Sequence, residues 1–194
     1  MNRITLMAAM FAAAGLSFAG GANAQGTSKD SYDMAVKRGQ EAYKVDRASC
    51  DALSANAKDI CVETAKGKES VAKAEAEAGY KNTPKARESA RVARADATYA
   101  VAKEKCDDMS GNNKDVCVKE AKAVLVKGKA DAKVDRVASD SSMKSAEKTA
   151  EARRDASEDK RDADYKVAAE KCDALAGAAK DTCVRDAKTR YGKT

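Results

Sequence analysis

The sequence predicts an all-α protein: three disulfide-stapled antiparallel helical hairpins in an elongated array, following a cleaved signal peptide. Three observations carry that prediction. The chain is dominated by helix-forming residues, one cysteine-bearing unit occurs three times, and the N-terminus carries an apolar run that ends in a small-x-small motif.

Composition sets the limits. Of 194 residues, 37 are Lys or Arg, 31 are Asp or Glu, and none is His or Trp. Without His the chain lacks the commonest ligand of catalytic zinc and the usual general base, which weakens hydrolase and metalloenzyme readings. Residues 25–194 hold only 18 Leu, Ile, Val and Phe, about 11%, below the roughly 20% under which charged chains tend to stay unfolded. The same stretch holds 35 Ala, and Ala, Lys, Arg and Glu are strong helix formers. A thick core is therefore excluded, whereas thin helical hairpins are not.

Residues 1–24 are read as the signal peptide. Arg3 supplies the positive start, Leu6 to Phe18 the apolar stretch, and Ala22-Asn23-Ala24 the cleavage motif, so the mature chain should begin at Gln25. The apolar run is shorter than the roughly 20 residues that span a bilayer, and no Cys follows it for lipid attachment. No transmembrane span is expected after cleavage.

The repeated unit runs from Tyr43 through Cys50-Asp51-Ala52-Leu53 to Lys58-Asp59-Ile60-Cys61-Val62. It returns from Tyr99 through Cys106 to Cys117-Val118, and again from Tyr165 through Cys172 to Cys183-Val184, the second connection being longer than the first. Tyr to first Cys is seven residues and first to second Cys eleven in every copy. A left-handed Gly suits the centre of such a turn, and in copy two Gly111 is followed by Asn112, a residue type that caps helices. Each Cys then stands five residues from the turn on its own side. Five helical residues rise about 7.5 Å, so both thiols stand at one height on antiparallel helices. Six Cys allow fifteen pairings; the repeat favours Cys50–Cys61, Cys106–Cys117 and Cys172–Cys183. A redox pair would more typically be Cys-x-x-Cys, and two Cys per unit without His is a poor metal site. No cofactor is expected.

On the approach helix, Val92, Ala95, Tyr99, Ala102, Cys106 and Met109 form one apolar stripe, matched in copy one by Val36, Tyr43, Cys50 and Leu53. The tyrosines are expected to supply most of the large buried surface. Breaks are expected at Gly79–Pro84, with Thr83 as cap and Pro84 as first helical residue, and at Ser139–Ser142. These divide the mature chain into units 25–80, 81–140 and 141–194. The expected helices are 29–54, 57–78, 84–110, 113–138, 143–176 and 179–190. Residues 144–164 are almost wholly polar and are expected to be a solvated helix or loosely ordered.

Charge offers one candidate contact surface. The repeat units are nearly neutral, so no broad basic field for nucleic acid exists. Arg87, Arg91 and Arg94 share a helical face suited to anionic lipid, lipopolysaccharide or cell-wall polymer. The competing reading is an ordinary solvated face balanced by Glu88 and Asp96.

The signal peptide, the Ala/Lys-rich helices and the motif from Tyr165 through Cys172-Asp173-Ala174-Leu175 to Lys180-Asp181-x-Cys183-Val184 resemble uncharacterised exported proteins of Gram-negative proteobacteria. Members are sometimes labelled cell-envelope or TolA-like for their helical composition. The resemblance implies a periplasmic location and no established activity, so no functional residue carries over. The function expected is a structural or interaction protein of the cell envelope, a helical scaffold or spacer without catalysis. An envelope protein or anionic polymer is the expected partner, with self-association open. The alternative is a stress-protective hydrated helical protein resembling late-embryogenesis-abundant proteins.

Overall fold

A computed structural model describes residues 26–140 and 145–193. The expected signal peptide and cleavage site, and Ser141 and Ser142 of the second break, lie outside the described residues. Among those described there are six α-helices and no strand: α1 (Lys29–Ser49), α2 (Ala55–Lys81), α3 (Pro84–Cys106), α4 (Gly111–Ser139), α5 (Ser145–Cys172) and α6 (Gly177–Tyr191). Three disulfides join Cys50 to Cys61, Cys106 to Cys117 and Cys172 to Cys183. The all-helical, disulfide-stapled hairpins expected from the sequence are therefore present.

Local chemistry fixes the ends. Ser28 caps α1 by accepting the Ser31 N–H at 3.2 Å. Thr83 caps α3 by accepting the Ala86 N–H at 3.1 Å, with Pro84 in the first turn where its missing N–H costs nothing. Asn82 ends α2 in the left-handed region, φ 46°. The expected break at Gly79–Pro84 thus shrinks to Asn82 and Thr83, because the helix continues through Gly79 to Lys81 before Asn82 turns it.

Helices α3 and α5 end at the first cysteine, four residues earlier than expected, and α1 ends at Ser49, five earlier, with a 3₁₀ turn over Cys50–Ala52. The residues after each Cys are needed to reverse the chain. Leu53, Met109 and Leu175 each donate their N–H back to Cys50, Cys106 and Cys172, at 3.0 Å in all three copies. An extended residue follows (Ser54, Ser110, Ala176), then a left-handed one: Ala55, Gly111 and Gly177, with φ 48°, 56° and 55°. Asn112 does not cap α4; the capping position is Ser110, which makes no side-chain capping bond. The side chain of Asn56, its counterpart in the first copy, instead donates to the Glu104 carbonyl on α3 at 2.8 Å.

Among the described residues each helix packs only on its neighbours in sequence, so the six form a layer one helix thick. The seams between hairpins, α2–α3 and α4–α5, are more extensive than any seam within a hairpin. Among the described residues, the buried hydrophobic set is eleven alanines, the first Cys of each staple and Leu125. Small residues let the helix axes approach closely. A Cβ added at Gly67 would stand 2.9 Å from the Ala97 Cβ, one at Gly128 3.0 Å from Ala95, and one at Gly39 3.1 Å from Ala72.

The tyrosines do not form the core. All six are half-buried or exposed, and they sit along the seams: Tyr32 stacks on Tyr80 at 5.2 Å, and Tyr165 meets Tyr191 edge-on at 6.5 Å. Leu53, Met109 and Leu175 are exposed because the helix that would have turned them inward has already ended. Polar residues 145–164 are a continuous part of α5, seated on α4 through Ala152, Ala156 and Ala163.

Candidate functional site

The most repeated constellation is the stapled turn. Cα–Cα separations across the disulfides are 5.6, 5.7 and 5.7 Å, within the range a bridge needs. Cys50, Cys106 and Cys172 are fully covered. Beside each bridge an ion pair closes the same loop: Lys58 to Asp51 at 3.1 Å, Lys114 to Asp107 at 2.8 Å, and Lys180 to Asp173 at 2.9 Å. The hydrogen bonds from Arg47 and then Lys58 hold the Asp51 carboxyl below the usual carboxylate range. Lys114 does the same to Asp107, and the bond to Asp107 raises the Lys114 ammonium in return. Each Lys–Asp pair spans seven residues across the turn. Its signal was present in the sequence as the threefold Cys-Asp and Lys-Asp, but helix-face counting pairs only residues three or four apart.

All three staples lie at one end of the layer. Asn56 reaches Glu104 there, linking the first stapled turn to the end of α3. Farther along, Lys171 meets Glu120 at 2.6 Å and Lys119 meets Glu170 at 3.5 Å, a crossed pair between α4 and α5.

The arginine face is divided between neighbours. Arg87 donates to the Asn82 side-chain oxygen at 3.1 Å. Arg91 is ion-paired with Asp135 on α4, and Arg94 with Glu75 on α2 at 2.6 Å. Glu88 and Asp96, on the same helix, turn instead to Arg136 and Lys129 of α4, at 2.9 and 2.8 Å. Burial alone would push the Glu88 carboxyl up, but Lys85 and Arg136 outweigh it and hold it low. The arginines therefore sit above two seams, and their charge is met by carboxylates on adjoining helices.

Between α2 and α3 an open groove has Gly67, Val71, Ala97 and Val101 in its lining and Lys68 and Arg94 beside them. Lys68 is held by Asp46 of α1 at 2.8 Å. Among the described residues no group of three or more His, Cys, Asp or Glu is placed to hold a metal ion. No helix among them is long and apolar enough to cross a membrane. Disulfides persist in oxidising compartments, so the three bridges fit a secreted protein. No family model matches the chain, and comparison with curated proteins and with solved structures finds no match either.

Proposed function

We propose that the protein is a periplasmic structural or interaction protein, a stapled helical scaffold or spacer of the cell envelope with no catalytic role. The observation that carries this reading is the threefold stapled turn on a layer one helix thick. Such a layer holds long helices in fixed register while leaving two broad faces open. Helix α4 has 29 residues, which is about 43 Å of length at 1.5 Å per residue. The resemblance to exported cysteine-repeat proteins supports the location.

The proposed partner is an envelope protein or an anionic envelope polymer, met by the face of Arg87, Arg91 and Arg94. Because Arg91 and Arg94 are already paired, their contribution to such binding is modest and salt-sensitive.

Fractionation in a Gram-negative host tests the location. The expected product is an oxidised chain beginning at Gln25 in the periplasmic fraction; a reduced chain retaining Met1 in the cytosol refutes it. Far-UV circular dichroism then separates scaffold from hydrated stress protein. High helicity in dilute buffer supports the scaffold, and a coil spectrum supports the stress-protective reading. Co-sedimentation with peptidoglycan or lipopolysaccharide, with and without alanine at the three arginines, tests the partner.

A further inference from the structure

Helix α1 forms one edge of the layer; among the described residues it touches only α2 and the turn that follows it. Its far side carries Met34, Arg38, Glu41 and Val45, spaced i, i+4, i+7 and i+11, which is one helical stripe. Met34 is 58% and Val45 70% exposed, so two large apolar side chains on one stripe have no covering among the described residues.

The repeat shows what this stripe is built for. Laying Tyr43 over Tyr99, its counterpart in the second unit, turns the stripe into Ala90, Arg94, Ala97 and Val101. That is the face α3 presents to α2. Ala97 packs on Gly67, Arg94 pairs with Glu75, and Val101 lines the α2–α3 groove. The same face is thus a helix seam in the second unit and bare in the first. Arg38 stands where Arg94 does, yet has no ion pair or hydrogen bond among the described residues. Glu41 has only the exposed Lys44, at 3.2 Å.

We propose that this face is a dimerisation surface, covered by α1 of a second copy running antiparallel about a two-fold axis between Gly39 and Gln40. That register is self-complementary, as a two-fold contact requires. Met34 of each copy faces Val45 of the other, and Arg38 of each faces Glu41 of the other. Two apolar pairs then flank two opposite-charge pairs.

The other free edge does not fit as well. Helix α6 has 15 residues against 21 in α1, and it carries Thr189 where α2 has the Gly67 that lets Ala97 approach. Arg185 and Asp186 of α6 stand where Lys119 and Glu120 of α4 meet Glu170 and Lys171, but the matching positions of α1 are Ala48 and Ser49, which carry no charge to pair with them. A head-to-tail contact would also leave open ends and grow into a filament.

A single helix pair is a small interface, so the dimer should dissociate on dilution. Sedimentation of the oxidised protein from micromolar to millimolar concentration is expected to show a monomer–dimer equilibrium. Val45→Glu, a change on an exposed site that leaves the melting curve intact, should weaken it at least about tenfold. Arg38→Glu or Glu41→Arg alone should weaken it, and the two together should recover it, since the swap restores opposite charges across the axis. A mixture of Met34→Cys and Val45→Cys proteins should form a disulfide-linked heterodimer on mild oxidation. A monomer at every concentration overturns the proposal. So does a dimer indifferent to these changes, a double swap that fails to recover pairing, or an open series of larger assemblies.

Discussion

At the residue scale, the left-handed position of the stapled turn is the sharpest difference among the three copies. Gly111 and Gly177 occupy it without cost, whereas Ala55 takes φ 48° with a Cβ. An L-residue there costs roughly 1–2 kcal/mol relative to Gly, partly offset by the greater freedom of Gly in the unfolded chain. Ala55→Gly is therefore expected to stabilise the protein by about 1 kcal/mol, read as a raised urea midpoint. Nothing lies within 4 Å of a Cβ added at Gly111, so Gly111→Ala should lower the midpoint through conformation alone. If both changes move the midpoint the same way, the turn geometry is not as described.

The carboxylates beside the staples give a pH dependence at the same scale. Asp51 and Asp107 have lowered pKa values in the folded chain, Asp51 chiefly through hydrogen bonds from Arg47 and Lys58 and Asp107 through one from Lys114. A lowered folded pKa means the stabilisation is complete above the unfolded value of about 3.9 and is lost as pH falls through the folded one. Melting temperature should hold from neutral pH to about pH 5 and decline below pH 4. Asp107→Asn should flatten part of that decline. An equal acid-induced drop in the variant would remove this pair from the explanation. These groups are exposed, so the effect is small and shrinks in salt.

At the element scale, stability comes from close approach rather than from large side chains. A buried methyl contributes about 0.8 kcal/mol, against about 1.5–3 for a buried Val, Leu or Phe. The seams compensate by close approach, with Gly39, Gly67 and Gly128 set against Ala72, Ala97 and Ala95 and eleven buried alanines along the helices. Gly67→Ala would raise helix propensity by about 1 kcal/mol in an exposed helix. Here the new Cβ meets the Ala97 Cβ at 2.9 Å, and neither atom can swing aside. Overpacking of this kind costs about 1–3 kcal/mol, so the net expectation is a lower melting temperature. A higher one would show that α2 and α3 separate freely.

The sequence showed the elements better than their seams, for a physical reason. Cys50 and Cys61 are near in sequence, and the threefold spacing leaves one sensible pairing. Thr83-Pro84 is a local start signal, and local signals are legible. By contrast, the partners of Arg91 and Arg94 are Asp135 on α4 and Glu75 on α2, each on a different helix from the arginines. Counting along one helix offers Glu88 and Asp96 instead, because the register between helices is not written in either. Residues 145–164 read as solvated for the same cause. Ala152, Ala156 and Ala163 look like filler until α4 lies against them, with Lys133 to Asp155 at 3.2 Å and Lys127 to Asp164 at 2.6 Å beside them. The sequence places the end of each approach helix too late because the hairpin, not propensity, requires residues 53–54 and their counterparts to leave the helix.

At the scale of the whole molecule, sequential packing makes the staples unequal. Each closed loop contributes about 3 kcal/mol by constraining the unfolded chain, a large share of the roughly 5–15 kcal/mol typical of a domain. Full reduction should accordingly lower helicity and broaden thermal melting. Single staples differ because, among the described residues, α3 and α4 each pack on two helices whereas α6 packs only on α5. Beyond its disulfide, α6 is held to α5 by Tyr191 against Tyr165 and by the Lys193–Asp162 ion pair just past its end. A helix as short as α6 is marginal alone in water. Replacing Cys172 and Cys183 with Ser should therefore release α6, seen as fast amide exchange across 177–191 while α1 to α4 stay protected. Replacing Cys106 and Cys117 should lower the global melting temperature yet leave α3 and α4 protected, since seams to α2 and α5 still hold them. This follows from repeat units being stabilised by their neighbours. Hydrogen-exchange mass spectrometry of the two double variants decides it. Loss of protection confined to the middle hairpin in the second variant would show that the seams between hairpins contribute less than the staples within them.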